Sequence, residues 1–207
     1  MEQRSEEWFA ARLGKVTASR VADLMAQTKS GYGASRANYM AELICERLTE
    51  KQAERFSNAA MQWGTDLEPF ARSCYEFVSD VSVAEVGLID HPTIPMFGAS
   101  PDGLIGDDGL VEIKCPNTAT HIETLLAETV PAKYITQMQV QMACTGRAWC
   151  DFVSFDSRLP FDLQMWVKRI YRDDTHIKNI EAETVKFLGE LDAKVADLRA
   201  RYFKDTE

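Results

Sequence analysis

The sequence lacks two features that would indicate a function at once: paired cysteines and a long hydrophobic run. The five cysteines are scattered over 207 residues without a C-x-x-C spacing. This argues against a zinc or iron–sulfur site and favours reduced, mostly buried thiols. No apolar run approaches the roughly 20 residues that a membrane helix needs, and the charged segment MEQRSEEW is unlike a secretory signal peptide. We therefore expect a globular cytoplasmic protein without a membrane span.

Positive charge is also scarce, because the formal net charge is −9 at pH 7. Taken alone, this balance argues against a nucleic-acid partner. One stretch departs from it, with five basic residues and one acid: Arg12, Lys15, Arg20, Lys29, Arg36 and the acid Asp23. A local basic patch can bind phosphates on an acidic protein, and a bound divalent cation offsets clustered carboxylates. Nucleic acid therefore stays open as a partner.

The length and composition are typical of one globular domain over residues 1–207, with 45% hydrophobic and 27% charged residues. Apolar spacing and capping residues predict helices over 5–13, from Thr17 or Ser19 to Met25, and over 36–54, 66–78, 119–128, 132–145 and 175–202. Turn signals and alternation predict strands over 82–89, 96–100, 102–106, 109–115 and 148–155, with a loop at 29–35. This order predicts an α/β (α+β) fold with a central mixed β-sheet flanked by α-helices.

The helix over 66–78 has two possible starts. Thr65 and Glu68 match a capping box, whereas Pro69 would suit the first helical position. The residues expected to face inward are Leu67, Phe70, Ala71, Cys74 and Phe77.

The charged residues of the stretch SPDGLIGDDGLVEIKCP form the leading candidate site. Side chains alternate faces along a strand, so Glu112 and Lys114 share one face, while Val111 and Ile113 share the other face, which suits burial. The GDDG turn returns Asp102 toward the two charges. Two carboxylates can hold Mg²⁺, and an adjacent lysine can hold the attacking water or hydroxide in phosphodiester hydrolysis. The alternative is an exposed Glu–Lys strand pair, with Asp102 as a turn residue.

The spacing P-D-x9-E-x-K resembles that of the PD-(D/E)xK nuclease superfamily, which has a restriction-endonuclease-like core. The fuller string SPDG…GLVEIKCP is more specific and is similar to the phage lambda exonuclease and YqaJ-type viral recombinase family. This resemblance covers roughly residues 5–155. It implies that Asp102, Glu112 and Lys114 are catalytic, that both carboxylates bind metal, and that the main-chain carbonyl of Ile113 also contacts metal.

The segment EEWFAARLGKVTAS resembles the N-terminal segment of that family. By resemblance, Arg12 and Ser19 bind the 5′-phosphate of a DNA end, and Ser100 lies near the scissile phosphate. Arginine is a bidentate phosphate ligand, and a hydroxyl near a helix N-terminus can complete an anion pocket. The alternative is that Arg12 is a solvated helix residue and that Ser19 or Thr17 is a simple cap.

Two more segments match the family in order. WGTDLEPFARSCYEF implies that Glu68 is a third metal ligand, and Met61, shortly before the Trp-Gly pair, corresponds to a side chain that wedges into the duplex end. YITQMQVQM implies that Tyr134 and the catalytic Gln137 line the DNA or metal site. The alternatives are that Glu68 is a helix-capping acid, that Met61 is a core residue, and that the glutamines lie on a solvated helix face.

The resemblance implies a Mg²⁺-dependent 5′→3′ exonuclease that acts on linear double-stranded DNA with a 5′-phosphate. The products would be 5′-mononucleotides and a 3′ single-stranded overhang for phage-type recombination. It further implies two Mg²⁺ ions per active site, with Mn²⁺ able to substitute, a homotrimeric ring, a single-strand annealing protein as a partner, and the cytoplasm of a bacterial or phage-infected cell. Two alternatives stay open: a PD-(D/E)xK endonuclease and a non-catalytic DNA-end-binding accessory protein.

Overall fold

The computed structural model describes residues 1–29, 31–53 and 58–203. Its α-helices are α1 (Glu6–Arg12), α2 (Val21–Leu24), α3 (Ala34–Thr49), α4 (Ala59–Ser79), α5 (Thr118–Ala127), α6 (Ala132–Thr145) and α7 (Asp174–Tyr202). Its strands are β1 (Val16–Thr17), β2 (Gln27–Thr28), β3 (Gly31–Tyr32), β4 (Val83–Ala84), β5 (Ile89–Asp90), β6 (Phe97–Ala99), β7 (Gly103–Ile105), β8 (Gly109–Lys114), β9 (Trp149–Phe155) and β10 (Met165–Tyr171). Short 3₁₀ helices cover Ala18–Arg20 and Phe161–Leu163.

The main sheet has five strands in the order β10-β9-β8-β7-β4. It is mixed, because β8 and β9 are parallel while the other neighbours are antiparallel. A smaller sheet has the order β1-β6-β5, with β1 parallel to β6, and β2 pairs with β3. The predicted mixed sheet flanked by helices is confirmed.

Strand β8 is covered on both faces. Val111 and Ile113 pack in a cluster with Ala71 of α4, whereas Leu110 packs in a second cluster with Met138 of α6. The sequence prediction assigned burial to one face of this strand only. The structure encloses both faces, so Glu112, on the β8 face toward α6, lies in the protein interior.

The first turn of α4 lies earlier than either predicted start. The Asn58 side chain caps the helix by accepting a hydrogen bond from the Met61 N–H at 2.9 Å. Thr65, Glu68 and Pro69 all lie inside the helix, so both predicted starts are wrong. Asparagine is among the strongest N-caps, and the helix continues through Pro69 although proline removes one intrahelical donor.

The inward face of α4 is only partly as predicted. Ala71 is fully buried, and Tyr75, one turn later, is buried with it. Phe70 and Phe77 are 53% and 86% exposed, so their predicted inward placement is wrong. Ala71 and Tyr75 define a stripe four residues apart that faces β8, and Phe70 reaches the core only through an edge contact with the Phe155 ring, 5.8 Å away.

Three other predicted elements differ in extent. The single strand predicted over 82–89 is divided between β4, in the main sheet, and β5, in the smaller one. Helix α3 ends at Thr49, and residue 54 of its predicted range lies outside the described residues, as does Ser30 of the predicted loop. Strand β10 is absent from the sequence prediction, yet it pairs with β9 along its whole length. Because β10 is a half-exposed edge strand, its polar and apolar residues are mixed, and this pattern does not distinguish a strand from a loop.

Two expectations from composition can be compared with the described residues. No helix there is long and apolar enough to cross a membrane. The cysteines are free thiols, with Cys144 and Cys150 buried and Cys45 exposed.

A buried carboxylate joins the end of β9 to the neighbouring helices. The Asp156 side chain is fully buried and accepts from the Nε of Arg158 at 2.7 Å. The Arg158 guanidinium also lies 4.9 Å from the Trp63 ring of α4 and donates to the Pro116 carbonyl at 3.0 Å. Burial alone would raise the pKa of Asp156, but hydrogen bonds from Arg158 and Thr118 lower it to about 2.

We expect Asp156→Asn to lower the free energy of unfolding by about 1–2 kcal/mol at pH 7. Because the folded-state pKa lies below the unfolded value near 4, this stability is present above about pH 4 and is lost as the pH falls toward 2. Denaturant unfolding at pH 7 and pH 3 measures it, and the difference between wild type and variant should shrink at pH 3. Asp197→Asn, at an exposed ion pair, is the control and should change stability by less than about 0.5 kcal/mol. A difference that is independent of pH would contradict the assignment.

Candidate active site

The hairpin of β7 and β8 brings Asp102 beside the charged residues of β8. Gly103 pairs with Val111 across the hairpin, so Asp102 lies next to the end of β8. Its Oδ2 accepts a hydrogen bond from the Ile113 N–H at 2.7 Å. Asp107 and Asp108 are exposed in the connecting turn, and they serve the turn rather than the site.

Glu112 is a fully buried carboxylate. Its Oε1 accepts a hydrogen bond from Gln137 Nε2 at 2.6 Å, and its Oε2 accepts one from Gln141 Nε2 at 2.5 Å. The Lys114 ammonium forms an ion pair with Oε1. A buried charge is costly unless it is paired and hydrogen-bonded, and these three donors satisfy both oxygens of Glu112.

Lys114 stands between this carboxylate and an aromatic ring. Its side chain is 28% exposed, and its Nζ lies 5.4 Å from the centre of the Tyr134 ring. Tyr134 in turn stacks on Phe152 at a centroid distance of 5.4 Å. The ammonium is therefore held at the boundary between the buried Glu112 and solvent.

The charged residues of the hairpin shift one another's pKa values. Burial raises the pKa of Asp102 well above its usual value, and the nearby Glu112 raises it further. Burial alone would lower the pKa of Lys114, but Glu112 and Asp102 raise it overall. The two acids thus favour the charged form of Lys114.

Glu68 of α4 holds two arginines. Its Oε1 accepts a hydrogen bond from Arg72 at 3.0 Å, one helical turn away. Its Oε2 accepts one from Arg4 at 2.7 Å. The Arg72 side chain is nearly buried, at 11% exposure, whereas that of Arg4 is 45% exposed.

A cleft of about 600 Å³ is lined by Glu68 of α4 and Lys114 of β8. The predicted site residues that line it are Ser19, Met61, Glu68, Ile113, Lys114, Tyr134 and Gln137. They come from the 3₁₀ turn after β1, from α4, from β8 and from α6. The structure therefore brings together residues that are more than a hundred positions apart in the sequence.

Arg12 contacts Ser100, which lies two residues before Asp102. The Ser100 Oγ accepts hydrogen bonds from Arg12 at 3.2 Å and from the Trp8 indole at 3.0 Å. Arg12 also donates to Thr17 Oγ1 at 3.3 Å, and its guanidinium lies 4.1 Å from the Trp8 ring. Arg12 is thus oriented by neighbours on both sides rather than solvated, while Ser19 is exposed and lines the cleft.

The donor set suits a hard divalent cation in its chemistry. Carboxylates at 68, 102 and 112 and the Ile113 carbonyl are oxygen ligands of the kind that Mg²⁺ prefers. Among residues 1–29, 31–53 and 58–203, no three His, Cys, Asp or Glu side chains are already arranged as a metal cluster. Their oxygens instead accept from Gln137, Lys114 and Arg4, so an incoming cation would have to exchange with such contacts.

Sequence reasoning missed four residues of the site. Gln141 lies four residues after Gln137 on the same face of α6, and that spacing was a usable signal. Arg72 stands at the same spacing from Glu68. Lys133 lines the cleft beside Tyr134. Arg4 reaches Glu68 across 64 positions, and no local pattern indicates such a contact.

We expect Gln141→Leu to lower the free energy of unfolding by about 1–3 kcal/mol, because it leaves a buried carboxylate oxygen of Glu112 without its donor. Denaturant unfolding measures the change. The control is Gln62→Leu, which removes an exposed contact with Asp66 and should cost less than about 0.5 kcal/mol. Equal losses of unfolding free energy in the two variants would show that the hydrogen bond from Gln141 to Glu112 stabilises the fold no more than an exposed contact does.

Solved structures share this architecture. LHK-Exo in complex with dAMP is 63% identical, covers 95% of this chain and 97% of its own, and superposes with a TM-score of 0.90. The alkaline exonuclease LHK-Exo from Laribacter hongkongensis is 62% identical over the same shares, also with a TM-score of 0.90. A phage related exonuclease from Haemophilus somnus 129PT is 16% identical at a TM-score of 0.74, covers 89% of this chain and 96% of its own, and supports the fold alone. The restriction-endonuclease-like fold is thereby confirmed.

A relative in a giant virus is similar over a shorter part of its length. Protein R354 of Acanthamoeba polyphaga mimivirus is 25% identical over 168 residues, which cover 73% of this chain. The chain spans 29% of the length of that relative. The YqaJ-like viral recombinase domain matches residues 7–148, the part that contains every predicted site residue, and the chain belongs to this family.

Proposed function

We propose that this protein is a Mg²⁺-dependent exonuclease that degrades one strand of linear double-stranded DNA in the 5′→3′ direction. It begins at a 5′-phosphorylated end, releases 5′-mononucleotides and leaves a 3′ single-stranded overhang for recombination. The observation that carries this proposal is the convergence of Asp102, Glu112 and Lys114 at the end of the β7–β8 hairpin, where Lys114 lines the cleft, in a member of a viral recombinase family.

The high similarity to an alkaline exonuclease supports the choice of reaction. LHK-Exo is 63% identical over 95% of this chain, and one of its structures contains dAMP, a mononucleotide. Similarity at this level favours a nuclease over a non-catalytic DNA-end-binding module. The complete set of two acids and one lysine favours the same reading.

The residues that would hold Mg²⁺ are Glu68, Asp102, Glu112 and the carbonyl of Ile113. We propose two ions per active site, with Mn²⁺ able to substitute. When bound, the metal supplies an acidified water and charge stabilisation at the phosphate. The fit rests on the oxygen chemistry of these ligands, on the contact between Asp102 and Ile113 at one end of the β7–β8 hairpin, and on the cleft that Glu68 and Ile113 both line.

The protein side chains have separate tasks in this reaction. Lys114 holds the attacking water or hydroxide and offsets negative charge that develops on the phosphate. Gln137 and Gln141 orient the two oxygens of Glu112, and a cation that binds Oε1 would exchange with the Gln137 contact while Gln141 still holds Oε2. Tyr134 limits the space around the Lys114 ammonium.

The end of the DNA would be recognised by residues around the same cleft. Arg12 and Ser19 bind the terminal 5′-phosphate, and Ser100, which contacts Arg12, helps to place the scissile phosphate. Tyr134 lines the path of the strand. Met61 is 54% exposed on the first turn of α4, where an apolar side chain can separate a terminal base pair.

The remaining proposals concern the assembly. We propose that residues 1–207 act as one nuclease domain, that three copies form a ring around DNA, and that the protein works beside a single-strand annealing protein in the cytoplasm of a bacterial or phage-infected cell. Membership of the family is the observation that supports these proposals.

We expect Lys114→Ala to abolish Mg²⁺-dependent degradation of a 5′-phosphorylated linear duplex, because the variant cannot hold the attacking water or offset charge on the phosphate. A duplex labelled separately at each end reports the direction of digestion. Lys178→Ala, at an exposed position of α7, should keep wild-type activity. Full activity of Lys114→Ala would refute the mechanism, and cutting of closed circular DNA by the wild type would instead support the endonuclease alternative.

We expect Arg12→Ala to reduce the preference for phosphorylated over hydroxyl 5′-ends by about tenfold or more, since it removes a charge-assisted contact with a phosphate. Initial rates on two duplexes that differ only at the 5′-end measure this ratio. Arg201→Ala, at an exposed ion pair of α7, is the matched arginine control. An equal loss on both substrates would contradict a phosphate pocket at Arg12.

A further inference from the structure

The segment before α1 is fixed to the core on both sides of Arg4. Gln3 Nε2 donates to the Val86 carbonyl at 2.9 Å and to the Pro101 carbonyl at 2.8 Å. Ser5 caps α1 by accepting a hydrogen bond from the Trp8 N–H at 3.2 Å. Arg4 lies between these two anchors, and its φ of 68° is in the left-handed region. Such a conformation is unfavourable for a residue with a side chain and persists where the surroundings fix it.

These anchors direct the Arg4 guanidinium into the cleft that contains the catalytic candidates. Arg4 lines it together with Ser19, Lys114 and Lys133. The Gln3 contact is to the carbonyl of Pro101, the residue before Asp102, so the position of Arg4 is tied to the same hairpin as the acids. Arg4 precedes the residues that match the family, and nothing in the family motif assigns it a role.

The contact between Arg4 and Glu68 is well suited to exchange. Glu68 retains a second partner, the nearly buried Arg72, if Arg4 leaves. The Arg4 side chain is 45% exposed, and exposed ion pairs contribute little to stability. A phosphate offers arginine a bidentate, charge-assisted contact, with one hydrogen bond more than the ion pair between Arg4 and Glu68, which has a single one.

We propose that Arg4 is a phosphate-binding residue that leaves Glu68 and contacts the DNA backbone when a strand enters the cleft. The inference rests on the proposed function, because it assumes that DNA is the ligand of this cleft. It assigns to Glu68 a second task beside metal binding: this carboxylate holds the arginine in place while the cleft is free of DNA.

Binding of a 5′-phosphorylated duplex in EDTA, followed by fluorescence anisotropy over a range of salt concentrations, tests the proposal. Each phosphate contact contributes about 0.9 to the slope of log affinity against log salt for duplex DNA. Arg4→Ala should lower the magnitude of that slope by about 0.9 and weaken binding by about tenfold at moderate salt. Arg4→Lys should keep the slope, and Arg201→Ala should match the wild type in both measures.

Glu68→Gln separates phosphate binding from a purely structural ion pair. If Arg4 served only to hold Glu68, breaking the pair from either side would weaken DNA binding alike. If Arg4 binds phosphate, Glu68→Gln releases it, so binding stays equal or becomes tighter and the salt slope stays at the wild-type value. Equal weakening by Arg4→Ala and Glu68→Gln overturns the proposal, as does a wild-type slope in Arg4→Ala.

Nuclease assays of the same preparations distinguish failure of the role of Arg4 from failure of the proposed function. A wild type that degrades the duplex while Arg4→Ala keeps the wild-type salt slope leaves the proposed function intact and refutes the role of Arg4. A wild type that neither degrades nor binds the duplex refutes both. Unfolding midpoints of all variants within a few degrees of the wild type exclude misfolding as the cause of a lower affinity.

Discussion

The burial of the Glu112 carboxylate is the constraint on which the site depends. Removing a charge from water costs several kcal/mol even after the protein relaxes. Glu112 of β8 can therefore be buried only where hydrogen-bond donors are in place around its carboxylate. Helix α6 supplies Gln137 and Gln141, one for each oxygen, and β8 itself supplies Lys114. The packing of α6 against the sheet is therefore a condition for burying the Glu112 carboxylate.

One face of β8 packs in the apolar core, and the other face carries charged residues of the candidate site. Val111 and Ile113 join the apolar cluster beneath α4, and they anchor the strand irrespective of any reaction. Glu112 lies on the face toward α6 and ends in polar contacts instead. Because successive side chains alternate, one short strand can be held rigidly by one face while the other presents charges in fixed positions, which is what a preorganised site requires.

The sequence predicted most of the site because its signals are local. The spacing of Asp102, Glu112 and Lys114 follows from strand alternation and one tight turn, and both are readable in a single hairpin. Glu68 was found only through resemblance, and its helix was predicted with the wrong start, since the Asn58 cap competes with a false capping box at Thr65. Arg4 could not be found at all: its contact spans most of the N-terminal half of the chain and depends on how Gln3 anchors its segment.

An acidic protein can assemble such a cleft because two of the site carboxylates, Glu112 and Glu68, are paired with cations before any ligand arrives. Glu112 is paired with Lys114, and Glu68 is paired with Arg72 and Arg4. These cations offset the repulsion between the acids in the folded protein. The same pairs are exchangeable to different degrees. Lys114 is held beside a buried charge, Arg72 is nearly buried, and Arg4 is half exposed. Arg4 is the most exposed of the three, so under the proposed function it is the cation that an incoming phosphate can most easily draw from its acid.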